Sequence, residues 1–249
     1  MSKLRRLACT LAAAPLVLAL AACGGDSAGN GALPTGEPIA PIAAPEGQSW
    51  VEIAEVTPEG GYRIGNPEAP LKLVEYASHT CGVCANFSQQ ASAALDEYVA
   101  TGVVSYEIRN QIHHPVDLTI AMLARCGSPE SFHPLANQAW ANFEPIMTNV
   151  QASGAALDQA VQGPEAQRFQ AIADVTGLID FFAARGISRD QAMQCLGNTE
   201  LARQIIERSN TQSEELNVTG TPTFFLNGGR IEGTNWASVE AALQAAGAR

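Results

Sequence analysis

EYASHTCGVC, residues 75–84, is the stretch of sequence that decides the fold. The residues that lead into it, 71–76, read LKLVEY, a run typical of a β-strand. Residues 82–101 carry apolar side chains at steps of three and four, which predicts a helix with one apolar face. Cys81 and Cys84 therefore lie where a strand gives way to a helix.

The spacing of these two cysteines suits thiol–disulfide chemistry. Two intervening residues let both thiols meet across one helical turn, so that a disulfide can form with little movement. Cys81 would lie at the helix N-terminus, where unpaired N–H groups and the helix dipole favour a thiolate. Because the thiolate is the attacking species in disulfide exchange, we predict that Cys81 is the nucleophile. Cys84, one turn into the helix, would be more buried and would resolve the mixed disulfide.

Two other interpretations of the pair are half a zinc site and a structural disulfide. A structural zinc site usually has four ligands, often from a second motif of the same kind. The sequence holds no second Cys-x-x-Cys motif, and His79 is the only histidine nearby in sequence. The pattern therefore favours a redox pair that needs neither a metal nor a cofactor.

The patterns around this segment predict an α/β protein with an insertion. Between residues 117 and 216 the pattern is helical throughout, and residues 236–246 predict a terminal amphipathic helix. Further strand patterns lie at residues 50–56, 103–108, 223–226 and 230–232, the last two joined by the hairpin signal Asn227-Gly228-Gly229. Strand elements at both ends of a helical block indicate one sheet interrupted by an all-helical insertion.

The order of these features resembles a known family. A strand, the segment at residues 75–84, a helix and a distant Thr221-Pro222 resemble the thioredoxin fold of DsbA-type thiol–disulfide oxidoreductases. The helical block, about residues 113–216, is similar to that family's helical insertion. The resemblance covers about residues 50–249 and implies a DsbA-like thioredoxin domain of the α/β class at residues 49–249.

The resemblance also implies roles for particular residues. Thr221-Pro222 would be a cis peptide that faces Cys81 and pairs with an extended substrate peptide; the alternative is a trans proline at the start of an edge strand. Glu75 matches a buried acidic residue beneath the second cysteine, where it would relay the proton of Cys84. The alternative for Glu75 is a solvent-facing side chain on an edge strand.

A second cysteine pair lies in the helical block. Some DsbA-like proteins carry a further disulfide in this region, and the positions of Cys126 and Cys195 are compatible with one. The alternative is two buried free thiols, since cysteine is often buried. In an oxidising compartment we expect the bridge.

The N-terminus predicts export and a lipid anchor. A basic start is followed by an apolar run, and the sequence Leu20-Ala21-Ala22-Cys23 resembles a bacterial lipobox. Residues 1–22 are therefore predicted to be a lipoprotein signal peptide, with diacylglycerol on the Cys23 thiol. Ordinary secretion with cleavage after Ala22, or an uncleaved anchor, are the alternatives. Residues 23–48 are rich in Gly, Ala and Pro and predict a flexible tether.

Composition, charge and hydropathy argue against three classes of protein. The chain of 249 residues is 46% hydrophobic and 16% charged, which is unlike a disordered chain. Acidic residues outnumber basic ones by 25 to 14, and the net charge of −11 argues against binding nucleic acid. After residue 22 no apolar run reaches the roughly 20 residues of a membrane-spanning helix.

Together these observations predict a thiol–disulfide oxidoreductase of the bacterial periplasm or cell envelope, lipid-anchored and acting on thiols of unfolded or exported proteins. We expect dithiol oxidation, with a membrane partner that recycles the site. Gly82-Val83 and the threonine before Pro222 are closer to isomerases and reductases, which remain alternatives. Residues 24–48 are too short and polar for a dimerisation domain, so a monomer is expected. A tethered holdase, or a redox lipoprotein with one dedicated client, are further alternatives.

Overall fold

The computed structural model describes residues 32–249. The predicted signal peptide, the lipidation site Cys23 and the first part of the predicted tether lie outside the described residues. Within residues 32–249, none of the helices combines the length and apolar character needed to cross a membrane.

One mixed sheet of six strands forms the centre of the fold, in the order β1-β2-β4-β3-β5-β6. The two central strands, β3 and β4, are parallel, and every other neighbouring pair is antiparallel. The strands are β1 Ala54–Val56, β2 Tyr62–Gly65, β3 Leu71–Ala77, β4 Val104–Asn110, β5 Thr223–Leu226 and β6 Gly229–Ile231. Strand β3 lies between β4 and β5, so it is a central strand, and five of its seven residues are buried.

Helix α1 connects β3 to β4, and seven helices separate β4 from β5. The helices are α1 Gly82–Ala100, α2 Pro115–Ala124, α3 Pro129–Ala141, α4 Phe143–Gln162, α5 Glu165–Val175, α6 Leu178–Ala183, α7 Arg189–Leu196, α8 Thr199–Glu215 and α9 Trp236–Ala245. Helices α2–α8 correspond to the predicted all-helical insertion, so the prediction of a thioredoxin fold with such an insertion is confirmed.

Local signals account for several boundaries of these elements. Asn227 and Gly228 both have positive φ, 48° and 80°, which is the backbone of the tight turn between β5 and β6. Ser188 caps α7, since its hydroxyl accepts a hydrogen bond from the Gln191 N–H at 3.3 Å.

The segment Trp50–Glu52 is predicted to be part of a strand, but it forms a 3-10 turn instead. The Trp50 side chain is buried and donates to the Ile42 carbonyl, which holds this turn against the domain.

The described half of the predicted tether lies against the domain. Ile39 donates a backbone hydrogen bond to the Gly247 carbonyl (2.8 Å), and Ile42 donates one to the Thr101 carbonyl (2.8 Å). The Ile39 side chain also contacts the hydrophobic core. The prediction of a flexible tether is therefore wrong for residues 36–48, because their backbone groups find partners on the domain that the composition of the segment did not reveal.

A disulfide joins two helical regions of the insertion. Cys126, just after α2, is bonded to Cys195 in α7, with a Cα–Cα distance of 5.8 Å. The Gln191 side-chain amide donates to the Cys126 carbonyl at 2.6 Å, next to the bridge. The bond closes a loop of 69 residues, so it restricts the unfolded chain much more than the folded one.

Replacing both cysteines of this bridge by serine is expected to lower the free energy of unfolding by about 4 kcal/mol, because a loop of this length frees much chain entropy. Urea unfolding of the oxidised proteins measures the effect. The single Cys126→Ser variant serves as the control, since it also lacks the cross-link and should lose as much as the double variant. Unchanged midpoints in both would contradict the stabilising role.

Candidate active site

The Cys81–Cys84 segment begins helix α1 at the carboxyl end of β3. Cys81 has extended backbone angles (φ −96°, ψ 115°) and is the residue that caps the helix. Its Sγ accepts a hydrogen bond from the Cys84 N–H at 3.3 Å, which replaces a hydroxyl or carboxylate cap. Both cysteines are free thiols; Cys81 is half-buried, and Cys84 has no exposed surface. A substrate can therefore reach the first sulfur and not the second.

Thr221 and Pro222 lie directly opposite Cys81, at the start of β5. The peptide bond between them is cis, as the resemblance implies. The Cys81 thiol donates to the Thr221 carbonyl oxygen across 3.2 Å, although 140 residues separate the two. The sheet thus brings these residues and the helix N-terminus to one edge.

The two thiols have opposite electrostatic environments. Hydrogen bonding with the Cys84 side chain, assisted by Thr221 and the N–H groups of Cys84 and Val83, lowers the pKa of Cys81 to about 5, although burial opposes the shift. Burial raises the pKa of Cys84 far above its ordinary value, and the neighbouring Cys81 and the Glu75 carboxylate raise it further. At neutral pH the site therefore holds one thiolate and one thiol.

We expect the alkylation rate of Cys81 in the reduced protein to rise with pH through a midpoint near 5, because the thiolate forms there. Iodoacetamide labelling followed by mass spectrometry measures the profile. In a Cys84→Ala variant the midpoint should move upward, since the largest cause of the low pKa is removed. A midpoint of the wild-type profile at about pH 8.5, the pKa of an ordinary thiol, would contradict the assignment of Cys81 as a thiolate.

Glu75 is buried in β3, with 1% of its surface exposed. The Tyr106 hydroxyl donates a hydrogen bond to its Oε2, and Oε1 has no hydrogen-bond partner in the part of the chain described. Burial raises the pKa of Glu75 to about 8; the Tyr106 hydrogen bond lowers it and the charge of Cys81 raises it. The carboxyl is thus protonated at neutral pH, and only its ionised form raises the pKa of Cys84 through its charge. Because Glu75 is buried, the solvent-facing alternative is wrong.

Asp117, in the first turn of α2, is a residue of the site that the sequence did not single out. It is fully buried and accepts hydrogen bonds from the Ser78 hydroxyl (2.7 Å), the His79 N–H (2.8 Å) and the His113 N–H (3.0 Å). One carboxylate thereby connects the loop before Cys81 to the start of the insertion. The only local signal for it is an acidic residue two positions after Pro115, which marks a helix start and not a site.

Further groups surround the same loop. The Trp140 indole N–H donates to the Ser78 carbonyl at 3.0 Å, and the His79 ring lies 4.9 Å from the Trp140 ring. Burial lowers the pKa of His79 to about 3, so its ring is neutral. His113, which the sequence pattern placed only in a loop near the end of the sheet, lies with Nε2 3.3 Å from the Thr221 hydroxyl. The exposed rim beside Cys81 therefore includes an imidazole.

Comparison with known proteins agrees with this architecture. The model of a family described as Thioredoxin matches residues 57–245. A Rickettsia typhi protein named as a protein-disulfide oxidoreductase is 28% identical over 185 residues, which are 74% of this chain and 60% of that protein. A similar Rickettsia conorii protein is 29% identical over 66% of this chain and 52% of its own length. The chain thus spans between half and two thirds of these curated relatives.

Solved structures show the same likeness. The crystal structure of a protein-disulfide isomerase from Novosphingobium aromaticivorans is 33% identical, covers 74% of this chain and 95% of its own, and superposes with a TM-score of 0.69. The structure of alpha-DsbA1 from Wolbachia pipientis is 20% identical, covers 77% and 92%, and has a TM-score of 0.60; at that identity it shows the fold alone. By its family match and its fold, this chain belongs to the thioredoxin family, with the DsbA-like architecture.

Proposed function

We propose that this protein is a thiol–disulfide oxidoreductase that oxidises thiol pairs in unfolded or exported proteins through Cys81 and Cys84. The observation that carries the proposal is a half-exposed Cys81 thiol at a helix N-terminus, with a pKa of about 5, beside a fully buried Cys84. The names of the Rickettsia relatives and of the Novosphingobium structure support the same class of reaction.

In the oxidised protein a client thiolate attacks Sγ of Cys81. The client–Cys81 bond forms, the Cys81–Cys84 bond breaks, and Cys84 leaves with the electron pair. The Cys84 thiolate is unfavourable in its buried position, so it takes a proton, which we assign to the neutral carboxyl of Glu75. Glu75 regains its proton from solvent.

A second client thiolate then attacks the client sulfur of the mixed disulfide. The client disulfide forms and Cys81 leaves as a thiolate, which its low pKa makes a good leaving group. Two electrons have moved from the client to the Cys81/Cys84 pair. An electron acceptor is required to restore the disulfide, and we assign this role to a redox partner in the membrane.

Thr221 and Pro222 are assigned to client binding. The Thr221 carbonyl lies 3.2 Å from the Cys81 sulfur, so a client chain that presents its cysteine to Cys81 passes along this residue. Pro222 has no N–H that would need a partner when the site is empty. An extended client peptide can thus pair with the backbone of Thr221 while its sulfur reacts.

Oxidation is the favoured direction because the low pKa of Cys81 stabilises the reduced protein, and a stable reduced form makes a strong oxidant. Equilibration with glutathione measures the potential. We expect a reduction potential of about −120 mV. A potential of about −270 mV would make the protein a reductant instead. Oxidation of a two-cysteine peptide by stoichiometric oxidised protein is the matching activity assay.

Disulfide isomerisation is the second candidate, favoured by the name of the Novosphingobium structure, which is 33% identical to this chain. Refolding of a scrambled multi-disulfide protein distinguishes the two activities. An isomerase restores native disulfides with catalytic amounts of the reduced protein, whereas the proposed oxidase acts on reduced clients and requires its own disulfide.

Export and lipid anchoring belong to the same proposal. The lipobox-like sequence ending at Cys23 and the disulfide of the insertion both suit a location in the periplasm or cell envelope. Since residues 36–48 lie on the domain, only the residues before them would serve as the tether. In a bacterial host, Cys23→Ala should move the protein from the membrane to the soluble fraction. Size-exclusion chromatography with light scattering tests the prediction that the protein is a monomer.

A further inference from the structure

A cleft of about 190 Å³ lies outside the thiol site, between the β1–β2 turn, the end of β4 and helix α8. Its walls combine three arginines with apolar side chains. The lining includes Tyr62, Arg109, Asn110, Arg125, Ile205 and Arg208. None of them has a part in the disulfide exchange described above.

Arg125 is the central group of the cleft. One of its terminal nitrogens donates to the Ala121 carbonyl at 3.0 Å, and its guanidinium lies 5.2 Å from the ring centres of both Tyr62 and Phe132. No carboxylate of residues 32–249 lies within 4.0 Å of it. The nearby charge of Asp117 acts on it, but that carboxylate already accepts three hydrogen bonds. Buried charges are normally paired with an opposite charge. The guanidinium of Arg125 has no such partner among these residues, so an anion could still pair with it.

Arg208 places a second positive charge beside the first. It extends from the exposed side of α8 over Gly60, and it forms no ion pair within the described part of the chain. Burial lowers the pKa of Arg125 to about 10, and repulsion from the charge of Arg208 contributes to the shift. An anion bound between the two guanidinium groups would remove this repulsion.

The third arginine is already neutralised. Arg109 makes two hydrogen bonds to Glu107 (2.7 and 3.1 Å) and lies 3.6 Å from Glu59. Among the groups of the cleft wall and their ion-pair partners, three arginines against these two carboxylates leave one positive charge, in a chain whose net charge is −11. A monoanion matches this balance, whereas a dianion would meet the carboxylate of Glu59 in the cleft wall.

Two further features of the wall suit a small organic acid. Asn110 is buried, and neither Oδ1 nor Nδ2 of its amide has a hydrogen-bond partner among residues 32–249. Because Asn110 lines the cleft, a small shift of its side chain would let a polar ligand supply that partner and remove part of the cost of the buried amide. Leu201 and Ile205 form an apolar side of the same cleft, against which a short alkyl chain can lie.

We propose that this cleft binds the carboxylate of a compact organic acid, held by Arg125 and Arg208. The planar guanidinium of Arg125 can present two parallel N–H donors to the two carboxylate oxygens, the geometry that arginine–carboxylate pairs prefer. The alkyl part of the acid lies along Ile205 and its neighbours. The site is separate from the client-binding edge at Thr221.

Isothermal titration of the full-length protein with sodium butyrate tests the proposal. Saturable, millimolar binding is expected in the wild type. Arg208→Ala should weaken it about tenfold, which corresponds to about 1.4 kcal/mol. Arg203→Ala is the matched control, because Arg203 is an exposed arginine on the same helix that pairs with Glu200; its affinity for butyrate should equal that of the wild type.

Two further titrations test whether binding requires a negative charge and whether a carboxylate monoanion is preferred. Butyramide, which lacks the charge, and inorganic phosphate at mildly alkaline pH, where it is largely a dianion, should both bind about tenfold more weakly than butyrate or worse. Because Arg208 is exposed, its replacement does not endanger folding. The proposal is overturned if butyrate gives no saturable heat, if the two arginine variants lose equal affinity, or if butyramide binds as well as butyrate.

Discussion

Replacing Cys81 by serine is expected to abolish thiol–disulfide exchange, with rates lowered by several orders of magnitude in both directions. A serine hydroxyl does not ionise near neutral pH and cannot form a disulfide with a client, so the first covalent step is lost. Oxidation of a two-cysteine peptide and reduction of insulin measure both directions. Unchanged rates in the Cys81→Ser variant would remove the assignment of this residue.

Two controls make this result specific. Cys126→Ser removes a cysteine outside the site and should leave the exchange rates close to those of the wild type at a temperature where it stays folded. The double variant Cys81→Ala/Cys84→Ala tests the alternative of a tethered holdase. Suppression of client aggregation would persist in that variant if the protein were a holdase, whereas an oxidoreductase loses its effect on client disulfides.

Glu75→Gln is expected to change how stability depends on pH. The pKa of Glu75 is raised from 4.5 to about 8 in the folded protein, so between these values the folded state binds the proton more tightly than the unfolded one. The contribution is therefore fully present below pH 4.5 and is lost as the pH rises through about 8. Within this window the wild type should lose up to about 1.4 kcal/mol per pH unit relative to the variant.

Urea unfolding of the oxidised proteins at several pH values measures this difference. Oxidation removes the opposite contribution of the Cys81 thiolate and also the smaller part of the Glu75 shift that the Cys81 charge causes. Glutamine keeps the size of the side chain and can still accept the hydrogen bond from Tyr106. If the free energies of unfolding of the wild type and the variant change equally between pH 5 and 8, Glu75 does not hold a proton in that range.

The same variant tests the proton transfer to Cys84. A glutamine cannot supply a proton to the leaving Cys84 thiolate, so mixed-disulfide formation should slow most below about pH 8, where Glu75 is protonated in the wild type. Stopped-flow measurement of the reaction with a single-cysteine peptide follows this step. A pH profile identical to that of the wild type would assign Glu75 a structural role instead.

The sequence by itself determined the elements that depend on neighbouring residues. The start of α1 at Cys81, the β5–β6 turn at Asn227-Gly228 and the cap of α7 at Ser188 follow from capping and turn preferences that act over a few residues. The same local pattern placed Cys81 where a helix N-terminus favours a thiolate. The pairing of Thr221 with Cys81, 140 residues away, was expected only from the family resemblance.

Tertiary structure alone decided which groups surround these thiols. Tyr106 reaches Glu75 because β4 runs parallel to β3 with Tyr106 opposite Leu73, two residues before Glu75 and on the same face. Asp117 holds the active-site loop only because the insertion returns to it, and residues 36–48 lie on the domain only because backbone partners are free there. Strand register, burial and long-range hydrogen bonding depend on the whole packed chain, and no window of sequence contains them.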